Sequence, residues 1–403
     1  MAYFPVVEYI TVFAALYAAV FYFLLLLGYS KQIHTEPVLL SDKALPSVSI
    51  VIPVLNEAGT ISQTLNSVLA LKYPKNKLEV IVVDDESTDN TVKEVQWFAS
   101  KRGIKELKLI RNKHVGVGKS SALNTGIRSA TGELVATLDS DSFPEKTSLV
   151  KLASFFADPF TMAVTAAVKV YSPKTMLEKI QGVEYIFVAF TRRLLSFVDS
   201  VTVTPGPFSV FRRDVFNKVG LFDENNLLED QEMAYRIQSH NYKIVGSLDA
   251  EVYTQVPSTF SQLMRQRIRW NRGGIRNFYK HRKLLNPKYG ELGAFILPLG
   301  VLTIFLVIAV FATLAWQIIS GQFFSWFSIE AFIYSFGPLQ VISLLTLLVG
   351  IVWVLVGRRV FETEHATLSM SRLFLFLFVY TYFMTVFWLA TFGEEVFHKK
   401  QKW

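Results

Sequence analysis

Four long apolar segments constrain this chain more than any other feature of its sequence. They lie at residues 6–28, 294–319, 332–356 and 373–392, and none contains lysine or arginine. An α-helix rises about 1.5 Å per residue, so roughly 20 apolar residues are enough to cross the hydrocarbon core of a membrane. With 51% hydrophobic and only 18% charged residues, the chain is more apolar than an ordinary soluble protein. We therefore expect one membrane-spanning helix within residues 1–30 and three within residues 293–395.

Basic residues near the ends of these segments predict which side of the membrane the central region faces. They follow the first segment and lie between the third and fourth, at Lys31, Lys43, Arg358, Arg359 and Arg372, whereas residues 320–330 have none. Positive charge is retained on the cytoplasmic side, so the central region is expected to be cytoplasmic. The basic tail at residues 399–402 conflicts with four crossings. Either one segment fails to cross, or the tail is an exception.

Between the first two segments, short β-rich runs alternate with helical patterns. The runs are Val48–Val54, Leu78–Asp84, Leu107–Arg111 and Leu134–Asp139, and stretches such as Thr60–Ala70 and Thr91–Arg102 have helical spacing. This alternation is typical of an α/β fold with a mostly parallel sheet covered by helices. Ligands of such sheets bind at the carboxyl ends of the strands. We therefore expect the binding site at that edge.

Acidic residues follow three of the predicted strands. Glu57 and Asp85 are expected to accept hydrogen bonds from a nucleobase such as uracil or from its ribose, although Asp89 and its neighbours could merely cap the next helix. Asp139 and Asp141 place two carboxylates on one turn, which suits a hard divalent cation bound to phosphates. The alternative for this pair is a plain surface turn.

A lysine between the third and fourth strands is a candidate phosphate ligand. Gly116–Ser120 has some likeness to a phosphate-binding loop, but the glycine that this motif needs at position 113 is a lysine, so nucleotide hydrolysis through such a loop is excluded. Lys119 precedes a helical stretch and is expected to reach a donor phosphate. An ordinary solvated lysine is the alternative.

Two further motifs lie nearer the second apolar segment. Asp230 is at the start of a helical stretch, where a carboxylate could act as general base on an acceptor hydroxyl or simply cap the helix. Gln266, Arg269 and Trp270 belong to a basic amphipathic stretch that is expected to rest on the membrane surface. An amide and a guanidinium can hold a departing diphosphate, and an indole offers a flat surface to a sugar ring.

The positive charge of the chain is consistent with phosphate ligands and a membrane surface. The formal net charge is +8, and much of the basic excess lies in residues 265–283 and at the C-terminus, beside the apolar segments. Anionic lipid headgroups and a nucleotide diphosphate explain this distribution, so we expect membrane lipids as partners and no nucleic acid. The chain has no cysteine, which excludes disulfides and thiolate metal sites.

Five motifs in this order resemble those of the processive family 2 glycosyltransferases, which include cellulose, chitin, hyaluronan and poly-N-acetylglucosamine synthases. The motifs are Asn56-Glu57, Asp84-Asp85, Asp139-Ser140-Asp141, Glu229-Asp230 and Gln266-Arg267-Ile268-Arg269-Trp270. The resemblance covers residues 46–285. It implies a GT-A fold, a Rossmann-like nucleotide-sugar-binding domain, over residues 46–255 and interfacial helices over residues 256–290. It also implies an inverting, metal-dependent transfer from a UDP-sugar.

The resemblance also implies roles on the donor side of the site. Glu57 and Asp85 would contact uridine. Asp139 and Asp141 would serve the donor ribose, the diphosphate and a Mn²⁺ or Mg²⁺ ion. Glu86 departs from the family pattern, because glycine is common at its position.

On the acceptor side the resemblance assigns four further residues. Asp230 would be the catalytic base, and Gln266, Arg269 and Trp270 would bind the diphosphate and the acceptor. The stretch Thr204–Ser209 resembles the acceptor-side segment that these enzymes carry before the base.

Three functions are compatible with these motifs. The first is processive synthesis of a β-linked polysaccharide, from N-acetylglucosamine or glucose, coupled to export. The second is transfer of a single sugar to a lipid acceptor such as a polyprenyl phosphate or diacylglycerol. The third is a non-catalytic membrane subunit that binds a nucleotide-sugar. Leu228 stands where cellulose synthases have threonine, so cellulose-type specificity is not implied.

Overall fold

The computed structural model describes residues 3–101, 107–112, 118–321, 338–361, 369–376 and 380–397. The strands within these residues are β1 (Val48–Val54), β2 (Leu78–Asp84), β3 (Leu107–Arg111), β4 (Leu134–Thr137), β5 (Ser142–Pro144), β6 (Thr161–Val170), β7 (Ser209–Arg212) and β8 (Lys243–Thr254). They form one sheet in the order β3-β2-β1-β4-β7-β6-β8-β5. The four strands predicted from the sequence are confirmed, with β4 ending at Thr137 instead of residue 139.

The helices of the central region cover this sheet. They are α2 (Ile61–Leu69), α3 (Thr91–Lys101), α4 (Lys119–Ser129), α5 (Ser148–Ser154), α6 (Met176–Ser196), α7 (Val215–Val219), α8 (Glu229–Ser239) and α9 (Phe260–Lys280). Strands β1 to β4 pair in parallel, as the alternating pattern predicts. β7 runs antiparallel to both β4 and β6, so the sheet is mixed, with a parallel half formed by β1 to β4 and a second half in the order β7-β6-β8-β5.

Both faces of the sheet are buried. Successive side chains of a strand point to opposite faces, and in β1 this divides the core in two. Ile50 and Ile52 lie in the same buried cluster as Leu65 of α2, while Val51 lies in a second cluster with Leu123 of α4. A strand covered on both faces is mostly apolar, which explains the hydrophobic character of Val48–Val54; its one polar side chain, Ser49, is buried and donates to Glu79.

Two turns at the carboxyl edge hold non-glycine residues in the left-handed backbone region. Asn56 has φ +54° and Glu86 has φ +67°. The two turns brace each other, because Asn56 N donates to Ser87 Oγ at 2.9 Å and Thr88 N donates to Asn56 Oδ1 at 2.9 Å. Glycine adopts a positive φ without the steric cost that a side chain brings. This is the physical reason why glycine is common at the position of Glu86.

Three apolar helices pack together outside the central region. They are α1 (Tyr3–Tyr29), α10 (Leu297–Ile319) and α11 (Pro338–Phe361). Tyr22 of α1 meets Trp353 of α11 edge to face at 5.4 Å between ring centroids, and Phe21 stacks on Phe295 at 5.4 Å. Among the described residues, one helix, Tyr9–Tyr29, is long and apolar enough to cross a membrane. Residues 332–337 of the third predicted segment lie outside the described residues.

The fourth predicted segment has a different environment. It is divided between α12 (Met370–Leu375) and α13 (Thr381–Val396), and residues 377–379 are outside the described residues. Leu373 packs in a buried cluster with side chains of α6. Phe387 contacts the ring of Phe260 in α9, and Glu395 accepts from Arg272 Nε at 2.7 Å. Contacts at both ends therefore place this segment along α6 and α9.

Candidate active site

The carboxyl ends of β1, β2 and β4 bring the predicted acidic residues to one edge of the sheet. Leu138 N donates to Val51 O at 3.0 Å and Asp85 N donates to Val54 O at 2.9 Å, which extends the strand pairing up to the turns. The turn at Ser140 is tied to α2, because Thr64 Oγ1 donates to Ser140 O at 2.5 Å. The expected clustering at this edge follows from the parallel strand order.

The two residues expected to contact the nucleoside both have protein partners. Asp85 is buried, and its two carboxylate oxygens accept from Asn112 Nδ2 at 2.9 Å and from Gly118 N at 3.2 Å. Glu57 accepts from Thr60 Oγ1 at 2.6 Å. Each carboxylate oxygen can accept a further hydrogen bond, so contact with a nucleoside stays a prediction.

The segment after β2 also contains a turn that braces the start of α3. Asp89 Oδ1 accepts from Thr91 N at 2.9 Å, and Asp89 Oδ2 accepts from Ala58 N at 3.1 Å. The capping and functional interpretations of this segment therefore concern different carboxylates. Both oxygens of Asp89 accept hydrogen bonds within the turn, whereas Asp85 is buried at the carboxyl edge of the sheet.

Lys119 lies between two acidic groups of the site. Its position at the start of α4 is set by Gly118, the residue that Asp85 holds. The ammonium is 2.5 Å from Asp139 Oδ1 and 3.5 Å from Glu229 Oε1. Burial opposes charging of this lysine, but the two carboxylates outweigh it and raise the pKa of Lys119. A permanently charged ammonium at this point can balance carboxylates or bind a donor phosphate.

The Asp139–Asp141 turn has the chemistry of a phosphate-linked divalent cation site. Burial, together with the charges of Asp139 and Glu57, raises the pKa of Asp141 to about 6. The carboxylates of the turn therefore repel each other, and a bound cation would relieve this repulsion. Oxygen ligands of this kind suit Mg²⁺ and Mn²⁺. The described residues contain no group of three or more acidic or histidine side chains that could hold a metal by itself. The turn therefore fits a cation that takes its remaining ligands from phosphate and water.

Asp230 lies at the first turn of α8, close to the same charges. Its Oδ1 accepts from Gln231 N at 2.7 Å, but the N-cap position is Leu228 and makes no side-chain cap, so Asp230 is not the N-cap residue that the alternative interpretation expected. Burial, and then the neighbouring charge of Glu229, raises the pKa of Asp230 to about 7. A carboxylate with such a pKa can accept a proton near neutrality, as general base catalysis requires.

A short segment connects Asp230 to the Asp139 turn, and we call residues 204–206 the strap. Thr204 donates to the backbone oxygen of Asp230 from both N, at 3.2 Å, and Oγ1, at 2.8 Å. At Gly206 a Cβ atom would lie 2.8 Å from Asp139 Oδ2 and would collide with Lys119 Nζ. A side chain at Gly206 would force Lys119 or Asp139 to move, so the strap passes close to the acidic turn at one end and hydrogen-bonds the backbone of Asp230 at the other.

Helix α9 presents the remaining predicted residues. Burial and the charge of Glu229 raise the pKa of Asp230, and the positive charge of Arg269 opposes them with a smaller lowering effect. Gln266 Oε1 is buried without a hydrogen-bond partner, so a ligand could supply one. Trp270 is half-buried and lies under the guanidinium of Arg267, whose carbon is 4.3 Å from its ring centroid. The charge of Arg269 thus acts on Asp230, whereas Trp270 packs against Arg267 and Gln266 Oε1 is left without a partner.

Two residues that the sequence interpretation overlooked dock α9 against the segment before Asp230. A Cβ atom at Gly273 would lie 2.5 Å from Leu228 Cβ, so the helix touches this segment. Buried Asn277 donates to Leu228 O at 2.9 Å, and it accepts from Asn226 Nδ2 at 2.7 Å. The signal in the sequence is a small and a polar residue on the inward face of a basic amphipathic helix.

Comparison with known proteins agrees with this architecture. The model of glycosyl transferase family 2 matches residues 49–220. The probable glycosyltransferase YdaM of Bacillus subtilis is 35% identical over 236 residues, which are 57% of this chain and 56% of that protein. The poly-beta-1,6-N-acetyl-D-glucosamine synthase of Staphylococcus epidermidis is 30% identical over 238 residues, 58% of this chain and 56% of that protein. The chain thus spans little more than half the length of these relatives.

A solved structure shares the fold over nearly the whole chain. A mannosyltransferase from Pyrobaculum calidifontis, in complex with GDP-Man and Mn²⁺, superposes with a TM-score of 0.66 at 22% identity, covering 98% of this chain and 100% of that one. The sheet order and the acidic carboxyl edge agree with the fold of this mannosyltransferase. The chain therefore has the GT-A fold, and its residues 49–220 match the model of glycosyl transferase family 2, as the motifs predicted.

Proposed function

We propose that this chain is a membrane-embedded inverting glycosyltransferase that adds sugar from a UDP-sugar to a growing β-linked polysaccharide, with N-acetylglucosamine or glucose as the unit. The observation that carries the proposal is the placement of Asp230, a buried carboxylate with a raised pKa whose backbone oxygen accepts from the strap and whose neighbour Glu229 lies 3.5 Å from Lys119. The likeness to poly-beta-1,6-N-acetyl-D-glucosamine synthases supports the choice of polymer and sugar.

The proposed reaction is a single displacement. Asp230 removes the proton from an acceptor hydroxyl, whose oxygen forms a bond to the anomeric carbon of the donor. The bond from that carbon to the diphosphate oxygen breaks on the opposite face, so an α-linked donor gives a β-linked product. Proton acceptance is matched to neutral pH because the pKa of Asp230 is about 7.

The donor is held by groups at the sheet edge. Glu57 and Asp85 are proposed to contact the uridine. Asp139 and Asp141 would hold a magnesium or manganese ion, which when bound neutralises charge on the departing diphosphate. Lys119 is proposed to turn from Asp139 to a donor phosphate, since its flexible side chain already reaches the turn that would hold the cation.

On the acceptor side, Gln266 and Arg269 are proposed to bind the diphosphate, and Trp270 the acceptor sugar. The donors of Arg269 can bind phosphate oxygens in pairs. The buried, unpartnered Gln266 Oε1 is a natural acceptor for a substrate hydroxyl, because burying a polar atom without a partner is costly.

The proposed location is the cell membrane, crossed more than once, with the catalytic domain in the cytoplasm. α1 is the strongest candidate span, and α10 and α11 pack beside it with similar apolar sequences. The basic residues that follow α1, Lys31 and Lys43, and those in the last turn of α11, Arg358 and Arg359, favour a cytoplasmic catalytic domain. Polymer export through so small a bundle is part of the proposal.

A second candidate is transfer of one sugar to a lipid acceptor. It is favoured by an apolar groove of about 490 Å³ between α1, α10 and α11, whose lining includes Tyr9, Phe13, Tyr17, Leu302 and Ile342. Such a groove suits a hydrocarbon chain better than a polysaccharide, because sugar hydroxyls need hydrogen-bond partners.

The deciding experiment is a donor panel with purified, detergent-solubilised protein. UDP-sugars and GDP-mannose are offered with Mn²⁺ or Mg²⁺, nucleotide release is measured and the product is sized. We expect a long polymer from one UDP-sugar and a loss of at least about 100-fold in kcat for Asp230→Asn, the usual scale for a general base. Asp214→Asn, which neutralises a surface carboxylate paired with Lys218, is the matched control.

The alternative outcomes separate the candidates. A single-sugar lipid product would replace the polysaccharide assignment with the second candidate. Full activity in Asp230→Asn would remove the base from the mechanism. Absence of turnover with every donor, while nucleotide-sugar binding persists, would favour a non-catalytic subunit.

A further inference from the structure

Arg267 lies within the Gln266–Trp270 motif, but its side chain is buried in the protein. It is only 4% exposed. Its Nη2 donates to Glu184 Oε2 at 2.6 Å, and the hydroxyl of Tyr380 donates to the same oxygen at 2.8 Å. Glu184 belongs to α6 and Tyr380 immediately precedes α13. One carboxylate therefore ties α9 to two other helices.

The other side of the guanidinium contacts Trp270. The carbon of the Arg267 guanidinium lies 4.3 Å from the indole centroid, within the range of a cation–π interaction. Residues three apart on a helix face the same way, so the arginine can restrict the rotamers of the indole. Trp270 is only half-buried, and its free face is available for stacking.

Stability alone does not account for this arrangement. A buried ion pair loses its solvation, and an apolar pair of similar volume often stabilises a fold as well or better. Here an additional cost is present, because Arg267 Nε is buried without a hydrogen-bond partner. The guanidinium of Arg267 nevertheless lies against the one aromatic ring of the motif. It contacts the indole both electrostatically, through its charge, and sterically, through its planar shape.

We propose that Arg267 is a positioning residue for Trp270, anchored by Glu184 and Tyr380, and that it holds the indole in the orientation that receives the acceptor sugar. The inference rests on the proposed function, because it takes Trp270 as the acceptor platform. A side chain held in its bound orientation loses less conformational freedom when the acceptor binds. Acceptor affinity, and not the chemical step, is therefore the quantity that Arg267 controls.

The kinetic test separates the acceptor KM from kcat and from the donor KM. For Arg267→Met in the full-length protein we expect the acceptor KM to rise about tenfold, the scale of a lost desolvated cation–π contact, while kcat and the donor KM change less than about twofold. Arg267→Lys should recover part of the loss. Arg213→Met, an exposed arginine outside the site, is the matched control.

A double-mutant cycle tests whether the effect passes through the indole. If Arg267 acts only on Trp270, Arg267→Met should add nothing to the acceptor KM of Trp270→Ala. A full additional effect in that background, or a fall in kcat with the acceptor KM unchanged, would overturn the proposal. Because Arg267→Met leaves Glu184 buried and unpaired, the double variant Glu184→Leu with Arg267→Met provides a folded version of the same change.

A spectroscopic readout keeps this inference separate from the proposed function. The chain has seven tryptophans, so labelling with 5-fluorotryptophan gives a small fluorine spectrum in which Trp270→Phe identifies one resonance. In the Arg267→Met and double variants that resonance should split or broaden, and it should be unchanged in Arg213→Met. An unchanged resonance would refute the positioning role whether or not sugar transfer is detected, whereas inactive wild-type protein would refute only the proposed function.

Discussion

Asp230 shows how local surroundings adapt an ordinary aspartate to a proposed task. Its carboxylate is buried, lies next to Glu229 and accepts a hydrogen bond from Gln231 N. Burial and the like charge favour the protonated form, which raises the pKa of Asp230 to about 7. The proposed base is therefore only partly ionised at neutral pH.

This pKa makes the pH profile of the enzyme predictable. A general base acts when deprotonated, so kcat/KM should rise about tenfold per pH unit below pH 7 and level off above it. Glu229→Gln removes a like charge and should move the rising limb to lower pH, whereas Asp214→Asn should leave it in place. Initial rates between pH 5 and pH 9 check this. A flat profile, or an unmoved limb in Glu229→Gln, would contradict the assignment of the base.

Single residues also show which parts of the site the sequence can predict and which it cannot. The acidic residues at the carboxyl edge were predictable, because each follows a buried apolar run whose strand character is local. The pairing of Lys119 with Asp139 and Glu229 was not, since it joins three segments far apart in the chain. The same is true of Arg267, whose position inside a basic amphipathic stretch suggested solvent or lipid, while its side chain is buried against Glu184.

Helix α9 contacts the segment that precedes Asp230, the proposed base, and it also contacts α6 and α13. Gly273 and Asn277 face the segment before Asp230, Arg267 faces Glu184, and Arg272 pairs with Glu395 of α13. Its amphipathic character was evident in the sequence. The partners on its inward face were not, because they depend on how α6, α8 and α13 pack around it.

Two adjacent glycines in α9 offer a controlled test of this docking. A methyl group at Gly273 would meet Leu228 Cβ at 2.5 Å, whereas one at Gly274 would lie at an ordinary contact distance of 3.8 Å from Gln231 Oε1. We expect Gly273→Ala to lower the unfolding free energy by about 1–3 kcal/mol and to reduce kcat, since the segment carrying Asp230 must shift.

Gly274→Ala is the control for that variant. It should retain kcat and could gain up to about 1 kcal/mol of stability from the higher helix propensity of alanine. Denaturant unfolding combined with initial rates distinguishes the two. If the two variants had the same unfolding free energy and the same kcat, the close contact at Gly273 would not position Asp230, the proposed base.

At the scale of the whole molecule, the C-terminal helices bear on membrane topology. α12 packs against α6 at Leu373, and the segment from Tyr380 to Glu395 contacts α6 and α9. A helix crossing the bilayer would leave the catalytic domain after one or two turns. Three crossings, by α1, α10 and α11, would put the basic tail on the same side as the catalytic domain, which removes the conflict that four apolar segments created in the sequence.

The absence of cysteine makes this topology easy to test. Single variants Ser320→Cys, at the end of α10, and Phe397→Cys, just after α13, can be treated with a membrane-impermeant maleimide in intact cells. We expect Ser320→Cys to be labelled directly and Phe397→Cys only after the membrane is permeabilised. Direct labelling of Phe397→Cys would restore the fourth crossing. The cysteine-free parent protein is the blank.

The strap also has a consequence for protein engineering, because it lies before a point in the chain where parts of two related proteins could be joined. Gly206 contacts Lys119 and Asp139, whereas Thr204 binds the backbone oxygen of Asp230, an atom that every amino acid supplies. A chimaera that joins residues up to 220 to the corresponding later part of a relative would thus retain the strap's contacts on both sides of the crossover. Donor and acceptor preferences could in this way be recombined by exchanging halves of the chain, with the distance between them preserved by three residues.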